Sequence, residues 1–304
     1  MTTEDRPIVV GINDSSDARA AVHWAIAEAR VCGCAVVLTH TWIADSYSLP
    51  AIAGAIPDGT LTGAANREIQ GAAQAWLDTT VLEVAAQAPV PVSGALGEGS
   101  AAGFLLSLAP SASMLVVGSR GHSTAARWMT GSTSAQVAHH CPIPVVVVRE
   151  GDKEQNDRPT ANFCGPVVVG VDGSASSLAA LRAAHEFAAE HHLALQVVHS
   201  WQPPLSGTLM GNSESFDLST AAQFDEGWRT LHESLSALQT STPVVPMTEQ
   251  LQRGSAAAAL IAASQQASLT VVGARGRGGF LGLLLGSVSS AVLHHAHSPV
   301  MIVR

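Results

Sequence analysis

Two matched sets of small and cationic residues carry the chemistry that this sequence can do. Val116-Val117-Gly118-Ser119-Arg120-Gly121-His122 leads on to Gly131-Ser132-Thr133. Val271-Val272-Gly273-Ala274-Arg275-Gly276-Arg277 leads on to Gly286-Ser287-Val288. Each set reads Gly-x-x-Gly, nine intervening residues, then Gly-Ser. A glycine turn leaving a buried strand lets a ligand approach the backbone, and a helix opening on Gly-Ser offers it free N–H groups and a positive dipole end. That chemistry suits a nucleotide phosphate. Arg120, Arg127, Arg275 and Arg277 are placed to neutralise it.

A second pair of segments belongs with these turns. Ile8-Val9-Val10-Gly11-Ile12-Asn13 matches Val167-Val168-Val169-Gly170-Val171-Asp172. Gly11 and Gly170 end the first strand of each copy, and Asn13 and Asp172 follow at its carboxyl end. Asn13 keeps the hydrogen-bonding shape of Asp172 but lacks the charge that would help hold a divalent cation. The second copy is therefore the stronger candidate for Mg²⁺.

Other chemistries find less support. The only lysine is Lys153, which lies outside both turns, so a P-loop with lysine after its last glycine is excluded. Serine, histidine and aspartate are plentiful, but no Gly-x-Ser-x-Gly elbow leaves a strand. Ser132 and Ser287 read as helix-opening phosphate ligands rather than nucleophiles. His40 and His199 read as packed or backbone-bonded residues, and the pairs His139-His140 and His294-His295 as dipole-complementing helix ends. Cys32, Cys34, Cys141 and Cys164 read as small buried hydrophobes, without zinc spacing.

The elements that must position these residues alternate strand and helix. Continuous β-branched runs such as Ile8 to Ile12 suit strands buried on both faces. Ser15 and Ser16 can cap the helix that follows, with Val22, Ala25, Ile26 and Ala29 as its stripe. A strand follows at Ala35 to Thr41, then a loop over Pro50 to Thr62 and a helix with Ile69, Ala73, Trp76, Leu77 and Val81 facing inward. Val90 to Ala95, Leu115 to Gly118 and Val145 to Val148 complete five strands, with helices at Ala101 to Ala109 and Ser132 to His140. The second half repeats this order through Val300 to Val303. The pattern predicts an α/β protein of two tandem flavodoxin- or Rossmann-like, doubly wound domains. Each has a five-stranded, mostly parallel sheet with helices on both faces. We place the domains at 1–150 and 166–304, joined by a polar linker at 151–165. Ligands of such sheets bind at the carboxyl ends of strands where strand order reverses, which is where both glycine turns fall.

These residues resemble the universal stress protein family in its tandem-domain form. The likeness rests on the opening Val-Gly-Val-Asp-Gly-Ser, the His-x-Trp after the second strand, and Gly-x-x-Gly-x9-Gly-Ser in both halves. The resemblance implies ATP as ligand, one per domain, and a regulatory role in stress response or growth control, while the missing catalytic lysine and base imply slow or no hydrolysis. Carried over, the phosphate-facing positions are Gly118, Gly121, Gly131 and Ser132, then Gly273, Gly276, Gly286 and Ser287. Asp172 falls on the family's acidic position near the ribose and phosphates. The resemblance also implies dimerisation through the last strand, which a tandem chain can satisfy internally or with a second copy. The rival readings are a slow Mg²⁺-dependent ATPase or phosphotransferase using Asp172, and an interaction module with one degenerate site.

Composition agrees with a globular chain. Of 304 residues, 47% are apolar and 13% charged, enough for two buried cores. The net charge of −9 argues against binding nucleic acid through its phosphate backbone. No apolar run approaches the roughly 18 residues of a membrane span, and the polar N-terminus shows no signal peptide. The chain reads as cytoplasmic, with a regulatory protein partner that its residues do not name.

Overall fold

The computed structural model describes residues 6–43, 60–119, 131–149, 163–202, 213–238, 244–278 and 285–304. The first half runs β1 (Ile8–Gly11), α1 (Ser16–Cys32), β2 (Val36–Trp42), α2 (Thr60–Ala85), β3 (Val92–Glu98), α3 (Ala101–Leu108), β4 (Met114–Gly118), α4 (Ser132–His140) and β5 (Val145–Val148). The second half repeats it as β6 (Val167–Gly170), α5 (Ala175–Glu190), β7 (Leu195–Trp201), α6 (Ser213–Ser236), β8 (Met247–Arg253), α7 (Ala256–Ala263), β9 (Leu269–Gly273), α8 (Ser287–His295) and β10 (Val300–Val303).

Within each half all strand pairs are parallel, in the order β3-β2-β1-β4-β5 and β8-β7-β6-β9-β10. The order reverses between β1 and β4, and between β6 and β9. The crevice above each switch point opens between the first strand and the glycine turn. One antiparallel pairing, Val300 with Val147 through Ile302 with Val145, joins the halves into a single ten-stranded sheet.

The β-branched runs predicted to be buried on both faces are so: β1, β5, β6 and β10 carry valines and isoleucines with almost no exposed surface. One core layer lies under α1, α2, α5 and α6, and the other under α3, α4, α7 and α8. The first layer is continuous between the halves. In it the fully buried Trp24 of α1 stacks on Phe187 of α5, with ring centroids 6.2 Å apart. Beside them Glu28 of α1 meets His191, just after α5, at 2.7 Å, both nearly inaccessible.

Four expectations need correction. The third strand begins later and runs further, from Val92 to Glu98, because it pairs with β2 through Trp42. Thr60 to Thr62 already belong to α2, and the rest of the expected loop lies outside the described residues. Ile69 on the α2 stripe is exposed, whereas Trp76, Leu77 and Val81 pack on the sheet. Cys32 and Cys164 are exposed, and Cys32 is joined to the buried Cys34 by a disulfide. Gly33 caps α1 in the left-handed region, φ 70°, and turns the chain so that Cys34 returns beside Cys32.

Candidate nucleotide sites at the strand switch points

Each switch point holds a cavity of similar size, about 410 Å³ in the first half and about 440 Å³ in the second. In the second half it is bordered by Gly170 of β6 and Asp172 just beyond it, by Val272 and Gly273 from β9, and by Arg275, Gly276 and Arg277 from the turn. Gly286, Ser287 and Val288 at the start of α8 close that side. In the first half Gly11, Asn13, Val117, Gly118, Gly131, Ser132 and Thr133 take the corresponding places. Arg120, Gly121 and His122, together with Arg127, lie outside the described residues. Ser119 and Ala274 do not border the cavities; each is 1% exposed and packs behind its turn.

The helices meeting the cavities start differently from their neighbours. α1, α3, α5 and α7 open on Ser15, Ser100, Ser174 and Ser255, whose hydroxyls each accept an N–H of the first turn. α4 and α8 open on Gly131 and Gly286 with no side-chain cap. Among the described residues no side chain caps them, and their first residues, Ser132 and Thr133 and Ser287 and Val288, border the cavities. Gly131 and Gly286 donate to Ser119 and Ala274 O at 2.7 and 2.8 Å, which fixes where each helix begins. Ser134 and Ser289 return their hydroxyls to Ser119 O and Gly273 O and lock that start.

The turn glycines serve a reason that spacing did not reveal. Among the described glycines, positive φ occurs at Gly33, Gly99, Gly165, Gly173 and Gly254, and at none bordering the cavities. A Cβ on Gly118 would stand 2.8 Å from the Asp17 carbonyl carbon, and one on Gly273 2.7 Å from that of Ser176. These glycines let the strand end pass against the start of α1 or α5. Gly276 is different: its Cβ would lie 2.5 Å from Asp172 Oδ2.

Asp172 is the main electrostatic feature of the second cavity. Its Oδ1 accepts the Ser174 N–H at 3.0 Å, and its Oδ2 accepts the Arg277 N–H at 2.9 Å across the crevice. Partial burial opposes its ionisation, but hydrogen bonds from Ser174, Arg277 and Ser177 outweigh that and hold its pKa below the ordinary value. The Arg277 guanidinium lies against Gly173, where φ is 77° and a side chain would collide with it. Asn13 turns its Oδ1 to Ser15, at 3.0 Å from the N–H and 2.6 Å from the hydroxyl. Asp172 makes the same local contact with Ser174, and the first-half counterpart of Arg277, His122, lies outside the described residues.

The walls opposite the glycine turns were not anticipated. Val198, Ser200, Ala256 and Leu260 border the second cavity, and Thr41, Ala101, Phe104 and Leu105 the first. The matched Gly99-Ser100 and Gly254-Ser255 start these helical walls, and that pair was the signal available. Ser200 Oγ is buried without a hydrogen-bond partner. His40 Nδ1 sits 3.2 Å from Ile12 O and His199 Nδ1 2.7 Å from Val171 O, the backbone-bonded role expected of them. No cluster of three or more metal-ligating side chains occurs among the described residues.

Fold and site together define a class: a fused pair of doubly wound α/β domains, each with a glycine-opened helix start at its switch point. The universal stress protein family profile matches residues 5–149 and 165–304. The chain belongs to that family, as two tandem copies. It is 32% identical to a universal stress protein of Mycolicibacterium smegmatis, covering 98% of this chain and 96% of that one. It is 31% identical to universal stress protein Rv2005c of Mycobacterium tuberculosis over the same shares. A universal stress protein of Archaeoglobus fulgidus has the same fold, with a TM-score of 0.65 at 17% identity, covering 100% of this chain and 99% of that one. Among the described residues no helix is long and apolar enough to cross a membrane.

Proposed function

We propose that this protein binds ATP, one molecule per half, and acts in stress response or growth control as a regulatory protein rather than through turnover. The observation that carries this reading is the start of α4 and α8 at the two cavities without a side-chain cap, where each of α1, α3, α5 and α7 has one first-turn N–H taken by its serine. A triphosphate would lie on these N–H groups. Arg275 and Arg277, both exposed at the second cavity, would add charge-assisted contacts. The apolar walls formed by Leu105 and Leu260 would take the nucleoside end.

Mg²⁺ fits as a companion of the triphosphate rather than as an ion held by the protein. Asp172 is the carboxylate bordering the second cavity, and both its oxygens already accept N–H groups. The first cavity has Asn13 in that place. The same engagement of Asp172 weighs against the phosphotransferase reading, which needs that carboxylate for metal or proton chemistry. Occupancy would change the surface offered to a protein partner by favouring one arrangement of the turns. With β5 and β10 already paired inside the chain, a homodimer would form through another surface. We assign the functional units as 1–150 and 166–304, with 151–165 between them.

Equilibrium dialysis of the full chain tests the reading. Two ATP molecules should bind per chain, and remain intact on the protein through prolonged incubation. Empty pockets at millimolar ATP would refute it.

A further inference from the structure

The residues that close each half reach into the other. Arg149 follows β5, and Arg304 follows β10. Because these strands pair antiparallel, the end of each lies beside the helix that precedes the other. Arg149 donates to Leu293 O at 3.4 Å, His294 O at 3.0 Å and Ala296 O at 3.3 Å, all at the end of α8. Arg304 donates to Cys141 O at 2.6 Å, Ala138 O at 3.2 Å and His139 O, at the end of α4. The last carbonyls of a helix have no partner within it, and a cation there complements the dipole. Each helix is thus held at its C-terminus by the opposite half, while its N-terminus borders its own half's cavity. Nine residues, roughly 13 Å of helix, separate the two ends.

We propose that Arg149 and Arg304 are positioning residues that each set the nucleotide-facing helix of the opposite half, so that the two pockets are coupled across the β5–β10 seam. This rests on the ATP-binding reading above. Arg149 carries a further link, because its Nε lies 3.4 Å from Ser119 Oγ, in the turn of the first pocket. Ser119 O in turn receives the Gly131 N–H that starts α4. Arg149 is therefore anchored on one pocket and holds the helix of the other. Ala274 stands where Ser119 does in the second half and offers Arg304 no such hydroxyl. Around the clasps stand His139, His140, His294 and His295 at the helix ends, with Arg275 close enough to Arg304 to repel it. The Ser119 hydroxyl that meets Arg149 itself donates to Asp17 Oδ2 at 2.6 Å, so a buried carboxylate stands behind that link.

The test titrates ATP into full chains with one pocket closed. Ser132→Glu puts a carboxylate at the phosphate position of the first pocket and leaves the second to be read; Ser287→Glu does the reverse. With Ser132→Glu, adding Arg149→Gln should weaken ATP binding about three- to tenfold, and adding Arg304→Gln should leave it nearly unchanged. With Ser287→Glu, Arg304→Gln should give the larger loss, and Arg149→Gln a smaller one through its contact with Ser119. Arg149→Lys and Arg304→Lys, which keep the charge, should recover part of the loss and give the same crossed pattern if the Gln variants fold poorly. Equal losses at both pockets, or losses of melting temperature with unchanged affinity, would overturn the coupling while leaving the ATP reading intact. Absence of ATP binding in the unsubstituted chain would remove that reading and this inference together.

Discussion

Asn13 and Asp172 occupy one position in two copies of the same architecture, and they do different work. Each closes a local turn, Asn13 with Ser15 and Asp172 with Ser174, and Asp172 also reaches across the crevice to the Arg277 N–H. Asp172 is thereby a latch on the turn that borders the second cavity. Its pKa is depressed in the folded chain, so its contribution is present above the unfolded value and fades as pH falls through the lower, folded one. Asp172→Asn should therefore cost about 1 kcal/mol near neutral pH, a charged hydrogen bond discounted for its partial exposure. Urea unfolding at pH 7 and again in acid should show the gap between the two proteins closing at the lower pH. A gap independent of pH would mean that shape rather than charge holds the turn.

At the scale of elements, the informative contrast lies between helices capped by serine and helices opened by glycine. A glycine N-cap leaves the first N–H groups to solvent or ligand, a small cost in stability that a binding site can use. A Cβ on Gly286 meets nothing closer than 3.5 Å, so a side chain fits there. Gly286→Asp should cap α8 and raise stability by about 0.5 kcal/mol. It should also weaken ATP at the second pocket at least tenfold, because the new carboxylate occupies the donors and repels phosphate. Thermal unfolding and dialysis on one preparation would read both effects. Improved stability with undiminished ATP binding would place the phosphates elsewhere. Gly273 could not be used this way, since its missing Cβ is what lets β9 pass the start of α5.

Over the whole molecule, the halves share one sheet, two core layers and a buried polar contact. Glu28 and His191 come from different halves and have side chains 5% and 3% exposed. Removing one partner of such a pair strands the other in a medium that solvates it poorly. Glu28→Ala should destabilise the chain by about 3 kcal/mol. The double substitution Glu28→Leu with His191→Phe should recover most of that, because the aromatic surroundings of Trp24, Phe163 and Phe187 suit apolar side chains. Denaturant unfolding of the single and double variants would measure it. A double variant as unstable as the single would show that the pair contributes more than satisfying each other's buried polar atoms.

The sequence by itself determined the repeated α/β order, the buried valine strands and the family. Those features are local: strand burial follows from β-branched runs, helix starts from serine and glycine, and the repeat from comparing the chain with itself. Only the tertiary structure decided that β5 pairs with β10 of the same chain, since pairing between short apolar strands depends on which edges meet in space. It also assigned Gly118 and Gly273 to close helix–strand approach, a matter of backbone separations that residue spacing does not encode. The walls at Thr41 and Phe104, and at Ser200 and Leu260, come from strands and helices distant in sequence. The arginine clasps have the same origin. Arg149 and Arg304 look like ordinary strand-ending cations until the antiparallel seam brings each beside the other half's helix end, where unpaired carbonyls await a donor.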